Sequence, residues 1–411
     1  MRLVPSSAHN ARVRLRLLIC PDKFKGSLSA TEASEAIATG WRRIRPGDRL
    51  DLLPVSDGGD GFGEICAALM GAQRRILRTV DASGRPIQAP WWWCGRQRLA
   101  LLESARIIGL ALLPRGRFHP FELDTLGLGQ ALRVVVARGA ACVVVGLGGS
   151  ATNDGGFGMA RALGWRFFDK CGHELNRWVD LWRLHEVRAP IEPLSVQSLA
   201  VAVDVSNPLL GARGATRIFG PQKGMRPSEL ALAERCLRQL ARVMEARAHT
   251  RLASIPGSGA AGGLGFGFLA FTPARLIPGF AWMAGQARLE TRLRAADLVI
   301  TGEGSLDRSS LMGKGVGEIA RLCARHDKPC WAFTGQFQPW LGWQKLFQRV
   351  EALIPGLTEA EAMMRAKKGL EGLAARAARS ATELAQSLRG SACLLAGLAR
   401  TGDKARGSGV H

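Results

Sequence analysis

Acidic and glycine-rich segments follow five apolar runs of this sequence, and their residue types could carry phosphoryl-transfer chemistry. Each run predicts a buried β-strand, and ligands of open parallel sheets bind beyond the carboxyl ends of the strands. The groups, in chain order, are Asp22, Lys25 and Ser27; Asp57, Gly58, Gly59 and Asp60; Gly148, Gly149, Ser150, Thr152, Asn153 and Asp154; Asp204 and Asn207; and Glu303 and Asp307.

These residue types suit the transfer of a phosphoryl group. Backbone N–H groups of glycine loops bind phosphate oxygens, and carboxylates hold Mg²⁺. A further carboxylate can orient or deprotonate an attacking hydroxyl, while lysines stabilise the charge on the transferring group. Taken singly, each residue has a simpler interpretation: an aspartate can be a helix N-cap, and Lys25, Lys223 or Lys314 alone is more often a solvated surface residue.

Other nucleotide-binding and metal signatures are weak. The sequence lacks GxxxxGK[ST], which excludes a P-loop protein, and its seven histidines form no HExxH or similar zinc pattern. Gly257, Gly259 and Gly262 match GxGxxG, but Pro256 precedes them and no clear strand does. A dinucleotide site there, and with it an NAD(P)-dependent oxidoreductase of a small hydroxy acid, stays an alternative.

Composition and charge favour a cytoplasmic globular enzyme. The chain has 411 residues and a net charge of +22, but the arginines are scattered and form no basic arm, so no specific nucleic-acid partner is expected. Nine cysteines occur without a CxxC pair, which argues against a disulfide framework. The uncharged stretch from Leu252 to Ala274 contains two prolines and six glycines, so we expect no membrane span.

The order of predicted elements indicates an α/β fold with two domains. Strands alternate with helices, as in βαβ units of a mostly parallel sheet, and Ser29 with Glu32 forms a capping-box signature. Trp91–Trp93 and 96–102 resemble antiparallel strands. We therefore expect a Rossmann-like domain from residues 1–80 and 290–388, an inserted second α/β domain over 81–289, and a disordered tail over 389–411. The predicted strands are 15–20, 50–55, 142–147, 199–205, 297–301, 329–334 and 350–354.

Seven motifs, in order, resemble the bacterial glycerate kinases of the glycerate 2-kinase type. The similarity extends over roughly residues 15–385. The matching segments are PDKFKGSLSA (21–30), LLPVSDGGDG (52–61), GLGGSATNDGG (146–156), DVSNPLLGARGA (204–215), FGPQKG (219–224), PGSGAAGGLG (256–265) and TGEGSLDRSSLMGKG (301–315).

The resemblance implies transfer of the ATP γ-phosphate to D-glycerate with Mg²⁺. We expect cofactor contacts from Gly148, Gly149, Ser150, Thr152, Asn153, Lys223 and Lys314. The catalytic candidates are Asp204, Glu303, Asp154 and Lys25, and the metal candidates are Asp57, Asp60 and Asp307. Which carboxylate is the base and which binds the metal stays open.

Two positions depart from the family pattern, and several questions stay open. Lys23 stands where the family usually has serine, and Leu126 where it has tyrosine. Neither departure removes a carboxylate or a glycine from the motifs. A non-catalytic regulator that binds a sugar acid is a second alternative. The resemblance favours 2-phosphoglycerate over 3-phosphoglycerate as product and allows a monomer or a homodimer.

Overall fold

The structure is a computed structural model that describes residues 14–56, 58–114, 116–311, 315–353, 361 and 363–381. These residues form two compact units. The first unit takes the described residues up to Pro54 and those from Glu290 onward, except Gly315. The second takes Val55–Leu289 together with Gly315. The predicted domain boundary near residue 80 stays a prediction, and the predicted tail over 389–411 lies outside the described residues.

The first unit is built on a parallel sheet of five strands in the order β13-β12-β11-β1-β2. All-parallel strands are buried on both faces, which explains their continuous apolar runs. Residues 363–381 are also helical. The named elements of this unit are β1 (Arg16–Ile19), α1 (Ala30–Arg42), β2 (Arg49–Leu52), α10 (Leu289–Ala295), β11 (Leu298–Leu306), α11 (Gly315–Arg325), β12 (Cys330–Phe337) and β13 (Arg349–Ala352).

Helix α1 begins at the predicted capping box. The Ser29 hydroxyl accepts a hydrogen bond from the Glu32 N–H, and the Glu32 carboxylate accepts one from the Ser29 N–H. At the other end of the helix, Trp41 is fully buried and its indole N–H donates to Asp48 at 2.9 Å. Asp48 also pairs with the buried Arg45, at 2.6 Å. This polar cluster fixes the connection from α1 to β2.

The second unit contains a mixed sheet of six strands in the order β10-β9-β6-β5-β4-β3, beside a hairpin of β7 and β8. Strands β10, β9, β6 and β5 are parallel, while β4 and β3 are antiparallel. The elements are α2 (Phe62–Met70), β3 (Gln73–Val80), β4 (Pro86–Cys94), β5 (Leu99–Glu103), α3 (Ala105–Ile108), α4 (Leu126–Ala137), β6 (Cys142–Gly146), α5 (Phe157–Ala162), β7 (Arg166–Asp169), β8 (Leu184–Arg188), β9 (Ser198–Val203), α6 (Ala215–Phe219), α7 (Leu230–Ala248), α8 (Ala260–Phe271), β10 (Ala274–Pro278) and α9 (Gly279–Gln286).

The structure confirms the mixed α/β fold class and the antiparallel strands around the tryptophan run, where Trp92 pairs with Leu101. The predicted strand over 96–102 begins too early, because Gly95–Gln97 forms a helical turn and β5 begins at Leu99. Strands β3 and β10 and the β7–β8 hairpin were not predicted. Among the described residues, no helix is long and apolar enough to cross a membrane.

Close packing between a helix and a strand marks the start of α2. A Cβ added to Gly63 would lie 2.1 Å from the ring carbon Cζ3 of Trp92. The indole of Trp92 therefore occupies the space that a side chain at position 63 would need. Trp92 is buried, and its strand lies beside β5, which ends at the candidate site.

Candidate functional site

Two glycine loops of the second unit touch through their backbones. We name the segment 58–61 the Gly58 loop and the segment 147–156 the Gly148 loop. A Cβ on Gly148 would lie 2.5 Å from the Cα of Gly59, and a Cβ on Gly149 would lie 2.4 Å from Oδ1 of Asp60. Gly149 also has a φ of +61°, which favours glycine. The structure thus brings together the predicted residues Asp60, Gly148 and Gly149.

The polar side chains of the Gly148 loop mainly bind each other and a neighbouring helix. The hydroxyls of Ser150 and Thr152 lie 2.8 Å apart, and the Asn153 amide nitrogen donates to the Thr216 hydroxyl at 3.0 Å. The Asn153 carbonyl oxygen is buried and has no hydrogen-bond partner among the described residues. Since a hydroxyl can donate or accept, exchanging the amide oxygen and nitrogen would still leave one polar atom unpaired.

Asp154 shapes the loop from inside. Its carboxylate accepts hydrogen bonds from the backbone N–H groups of Thr125, Gly156 and Gly158 and from the Thr125 hydroxyl, at 2.7–3.2 Å. Burial raises the pKa of Asp154, while these donors act in the opposite direction. Gly156 and Gly158 lie at the start of α5. Asp154 therefore caps this helix, as the sequence allowed, in addition to holding Thr125.

Lys223 lies beneath the same loop, in contrast to the expectation for an isolated lysine. It is buried, and its ammonium donates to the Thr152 carbonyl at 2.6 Å. Burial lowers the pKa of Lys223 to about 7, with Asp154 acting in the opposite direction. The observed contact is with protein backbone, so Lys223 holds the loop in this structure.

A left-handed stretch at the start of α8 completes the underside of the loop. Ala261, Gly262 and Gly263 all have positive φ, and a Cβ on Gly262 would lie 1.9 Å from the Thr152 carbonyl oxygen. The Gly155 N–H donates to the Gly262 carbonyl at 3.1 Å. The GxGxxG segment that contains Gly262 follows the helical turn Leu252–Ser254, not a strand, so it lacks the context of a dinucleotide fingerprint.

Two residues that sequence reasoning missed join the two loops. The Glu103 carboxylate accepts from the N–H groups of Gly61 and Gly63, and the Ser104 hydroxyl is hydrogen-bonded to the backbone of Gly148. Glu103 is the last residue of β5, and Ser104 directly follows it. Their position after an apolar strand was the available signal, because β5 ends in LLES as the other site strands end in polar residues.

The remaining predicted residues are placed as follows. In the second unit Asp204 is half-buried directly after β9. In the first unit Glu303 is half-buried within β11, and Lys25 is exposed. Next to Glu303, a Cβ on Gly304 would lie 3.2 Å from the Lys25 backbone nitrogen, so these two segments are neighbours. Asp57 and Lys314 lie outside the described residues.

Asp307, a metal candidate, caps a helical turn of the first unit. Its carboxylate accepts from the Ser309 N–H at 2.6 Å, and its own N–H donates to the Ser310 hydroxyl at 3.2 Å. These contacts are typical of a helix-start aspartate. The metal role of Asp307 stays a prediction.

Two other features of the second unit, a polar cluster and an apolar cavity, lie apart from the glycine loops. Asp169, Cys171 and His173 bring one oxygen, one sulfur and one nitrogen within 4.8 Å of one another in the turn after β7. One Asp169 oxygen accepts two backbone N–H groups of this turn, and the other pairs with Arg183 at 3.4 Å. A cavity of about 210 Å³ is lined by apolar side chains such as Trp165 and Phe271, which do not suit a phosphate.

Comparison with known proteins identifies the family. The chain is 35% identical to glycerate 2-kinase of Escherichia coli over 381 residues, 91% of this chain and 99% of that protein. It is 33% identical to glycerate kinase of Halalkalibacterium halodurans over 88% of this chain and 96% of that protein. The crystal structure of putative glycerate kinase 2 from Salmonella typhimurium superposes with a TM-score of 0.76 at 32% identity, covering 91% of this chain and 100% of that one. Residues 17–384 match the glycerate kinase family, and the chain belongs to it.

Proposed function

We propose that this protein is an ATP-dependent glycerate kinase that transfers the γ-phosphate to a hydroxyl of D-glycerate, with 2-phosphoglycerate as product. The observation that carries the proposal is the backbone contact between the Gly58 and Gly148 loops, where side chains are excluded by distances of about 2.5 Å. Glycine at these positions lets the two main chains approach each other, and backbone N–H groups of such glycine loops can bind phosphate oxygens. The family membership and the named relatives support the same reaction.

The polar atoms of the Gly148 loop fit a hydroxylated, phosphorylated ligand. One polar atom of the buried Asn153 amide has no partner among the described residues. Its oxygen would accept from a substrate hydroxyl or a metal-bound water, and with the amide turned over its NH2 group would donate to a phosphate oxygen, so Asn153 stays a proposed ligand contact. Ser150 and Thr152 hydroxyls, with the glycine backbone, remain the candidates for phosphate contacts.

The carboxylates near the site suit Mg²⁺, because hard cations take oxygen ligands. Asp60 is exposed at the edge of the Gly58 loop, with Oδ1 against the backbone of Gly149. We assign Asp60, with Asp57, to the metal. Bound Mg²⁺ would neutralise charge on the phosphates.

Asp204 and Glu303 are the candidates for the base that takes the proton of the attacking hydroxyl. We assign this role to Asp204, which directly follows a strand of the unit that carries both glycine loops. Glu303, in a strand of the first unit, is the alternative. Lys25, exposed in the first unit, is proposed to neutralise the substrate carboxylate or a phosphate.

A coupled assay of ADP release tests the reaction. Purified protein with D-glycerate, ATP and Mg²⁺ should release ADP, and chelation of the metal with EDTA should stop it. Asp204→Asn should lower kcat by at least about 10²-fold with a small change in KM, since a base acts in the transition state. The matched control is Asp180→Asn in a helical turn of the same unit, which should leave kcat unchanged.

Each alternative has its own outcome in this experiment. Reduction of NAD(P) by glycerate without Mg²⁺ would favour the oxidoreductase, and glycerate binding without ADP release would favour the regulator. Near-normal kcat in Asp204→Asn would move the base role to Glu303, to be checked with Glu303→Gln. NMR of the product separates phosphorylation at the 2- and 3-hydroxyls, and sedimentation separates a monomer from a homodimer. Fractionation of cells tests the proposed cytoplasmic location.

A further inference from the structure

We propose that Glu103 is a positioning residue, and that with Ser104 it sets the distance between the Gly58 and Gly148 loops. The inference rests on the proposed function only in assigning ATP and glycerate to these loops. The juxtaposition itself is a property of the fold. One dipeptide at the end of β5 holds both loops, through a carboxylate on one side and a hydroxyl on the other.

The Glu103 side chain caps a helix that cannot cap itself. Helix α2 begins after Gly61, which has a φ of +90° and no side chain to accept the first N–H groups. The two carboxylate oxygens of Glu103 take their place, accepting from Gly61 N–H at 2.9 Å and from Gly63 N–H at 3.1 Å. Glu103 is 1% exposed, so no solvent replaces these contacts.

Ser104 makes the corresponding contact with the other loop. Its hydroxyl donates to the Gly148 carbonyl at 3.1 Å and lies 3.2 Å from the Gly148 N–H, which can donate to it. The Ser104 N–H donates to the Gly146 carbonyl at 3.0 Å, continuing the pairing of β5 with β6. The hydroxyl thus fixes Gly148 on a rigid strand end.

Both oxygens of Glu103 act as hydrogen-bond acceptors. Burial raises the pKa of Glu103 and the nearby Asp60 carboxylate acts in the same direction, whereas the two N–H groups and the Arg106 guanidinium, 3.6 Å from Oε1, favour the ionised form. An ionised carboxylate only accepts hydrogen bonds, so both oxygens match the two N–H donors. A glutamine of the same size would turn a donor toward one of these N–H groups and release one side of the Gly58 loop.

A second buried carboxylate of this unit provides a matched control. Asp81 accepts from the N–H groups of Ser83 and Arg85 and from the Arg85 guanidinium, with its side chain 1% exposed. It lies in the turn between β3 and β4 and accepts from neither glycine loop in these contacts. Asp81→Asn therefore removes a comparable buried charge without touching either loop.

The test compares Glu103→Gln, Ser104→Ala and Asp81→Asn by hydrogen exchange of the protein without ligands and by steady-state kinetics. In Glu103→Gln we expect amide exchange of residues 58–66 to accelerate at least about 10-fold, and kcat to fall by about 10²-fold with a smaller change in KM for ATP. Ser104→Ala should instead accelerate the amide exchange of residues 146–150. Asp81→Asn should change exchange only in the β3–β4 turn and leave kcat within about twofold.

The outcomes separate this inference from the proposed reaction. Unchanged exchange of residues 58–66 in Glu103→Gln would overturn it, as would an equal loss of kcat in Asp81→Asn. If Glu103→Gln does not fold, Ser104→Ala decides. Faster amide exchange at residues 146–150 together with a loss of kcat supports the inference, and the absence of both changes overturns it. If the wild type releases no ADP with glycerate, the reaction is wrong, while the exchange comparison still decides whether Glu103 positions the loop.

Discussion

The buried ammonium of Lys223 should make the stability of this protein rise with pH over an unusual range. Burial lowers the pKa of Lys223 to about 7, from 10.5. Between these values the unfolded chain holds a proton that the folded chain does not, so the free energy of unfolding increases with pH. Below pH 7 the lysine is charged in both states, and the folded state carries the full desolvation cost.

The size of the effect follows from the two pKa values. With 7 for the folded and 10.5 for the unfolded state, this one group raises the free energy of unfolding by about 3 kcal/mol between pH 7 and pH 9.5. Lys223→Met removes this contribution. It also leaves the Thr152 carbonyl, 2.6 Å from the ammonium in the wild type, without its donor, which costs about 1–3 kcal/mol at all pH values.

Urea unfolding of both proteins at several pH values measures the difference. We expect the wild type to gain about 3 kcal/mol relative to Lys223→Met from pH 7 to pH 9.5. The control is Lys170→Met, at an exposed position of the same unit, for which the difference from wild type should not depend on pH. A wild-type advantage over Lys223→Met that stays constant over this range within about 0.5 kcal/mol would refute the burial of the charge.

Two further substitutions test the packing around the loops and the core of the first unit. Gly262→Ala should destabilise the protein by several kcal/mol and lower kcat, because its Cβ would lie 1.9 Å from the Thr152 oxygen. Gly84→Ala, with a φ of +82° but nothing within 4 Å, should cost only about 1–2 kcal/mol and leave kcat unchanged; equal effects in urea melts and kinetics would contradict the clash. Asp48→Asn removes the carboxylate charge 2.6 Å from the buried Arg45 guanidinium and should cost about 1.5–3 kcal/mol in urea unfolding. A loss below about 1 kcal/mol would show that the pair is not buried.

The ends of most parallel strands were predictable, because a buried parallel strand is a continuous apolar run. Six predicted strands end within one to three residues of the observed ends, but β11 continues to Leu306, so Glu303 lies inside the strand and not after the predicted end at residue 301. Strand β3 was missed although Leu77 and Thr79 are buried and alternate with exposed residues. Its three arginines obscure the alternation of buried and exposed residues, which is common in a strand at the edge of a sheet.

The contacts that hold the loops were not predictable, since they join distant parts of the chain. Glu103 lies 42 residues from Gly61, and Lys223 lies 71 residues from Thr152. Local sequence around Lys223 is polar and glycine-rich, which indicates a solvated lysine. Its burial depends on α6 and the Gly148 loop, whose arrangement no local pattern encodes.

The contact between Gly63 and Trp92 has an evolutionary consequence. The Trp92 indole fills the space beside the start of α2 that a side chain at position 63 would need. Any lineage that enlarges position 63 must therefore shrink position 92 in compensation, and the two should change together among homologues. Since the Gly63 N–H also donates to Glu103, a mismatch at this pair would be transmitted to the loops even though neither residue needs to touch a substrate.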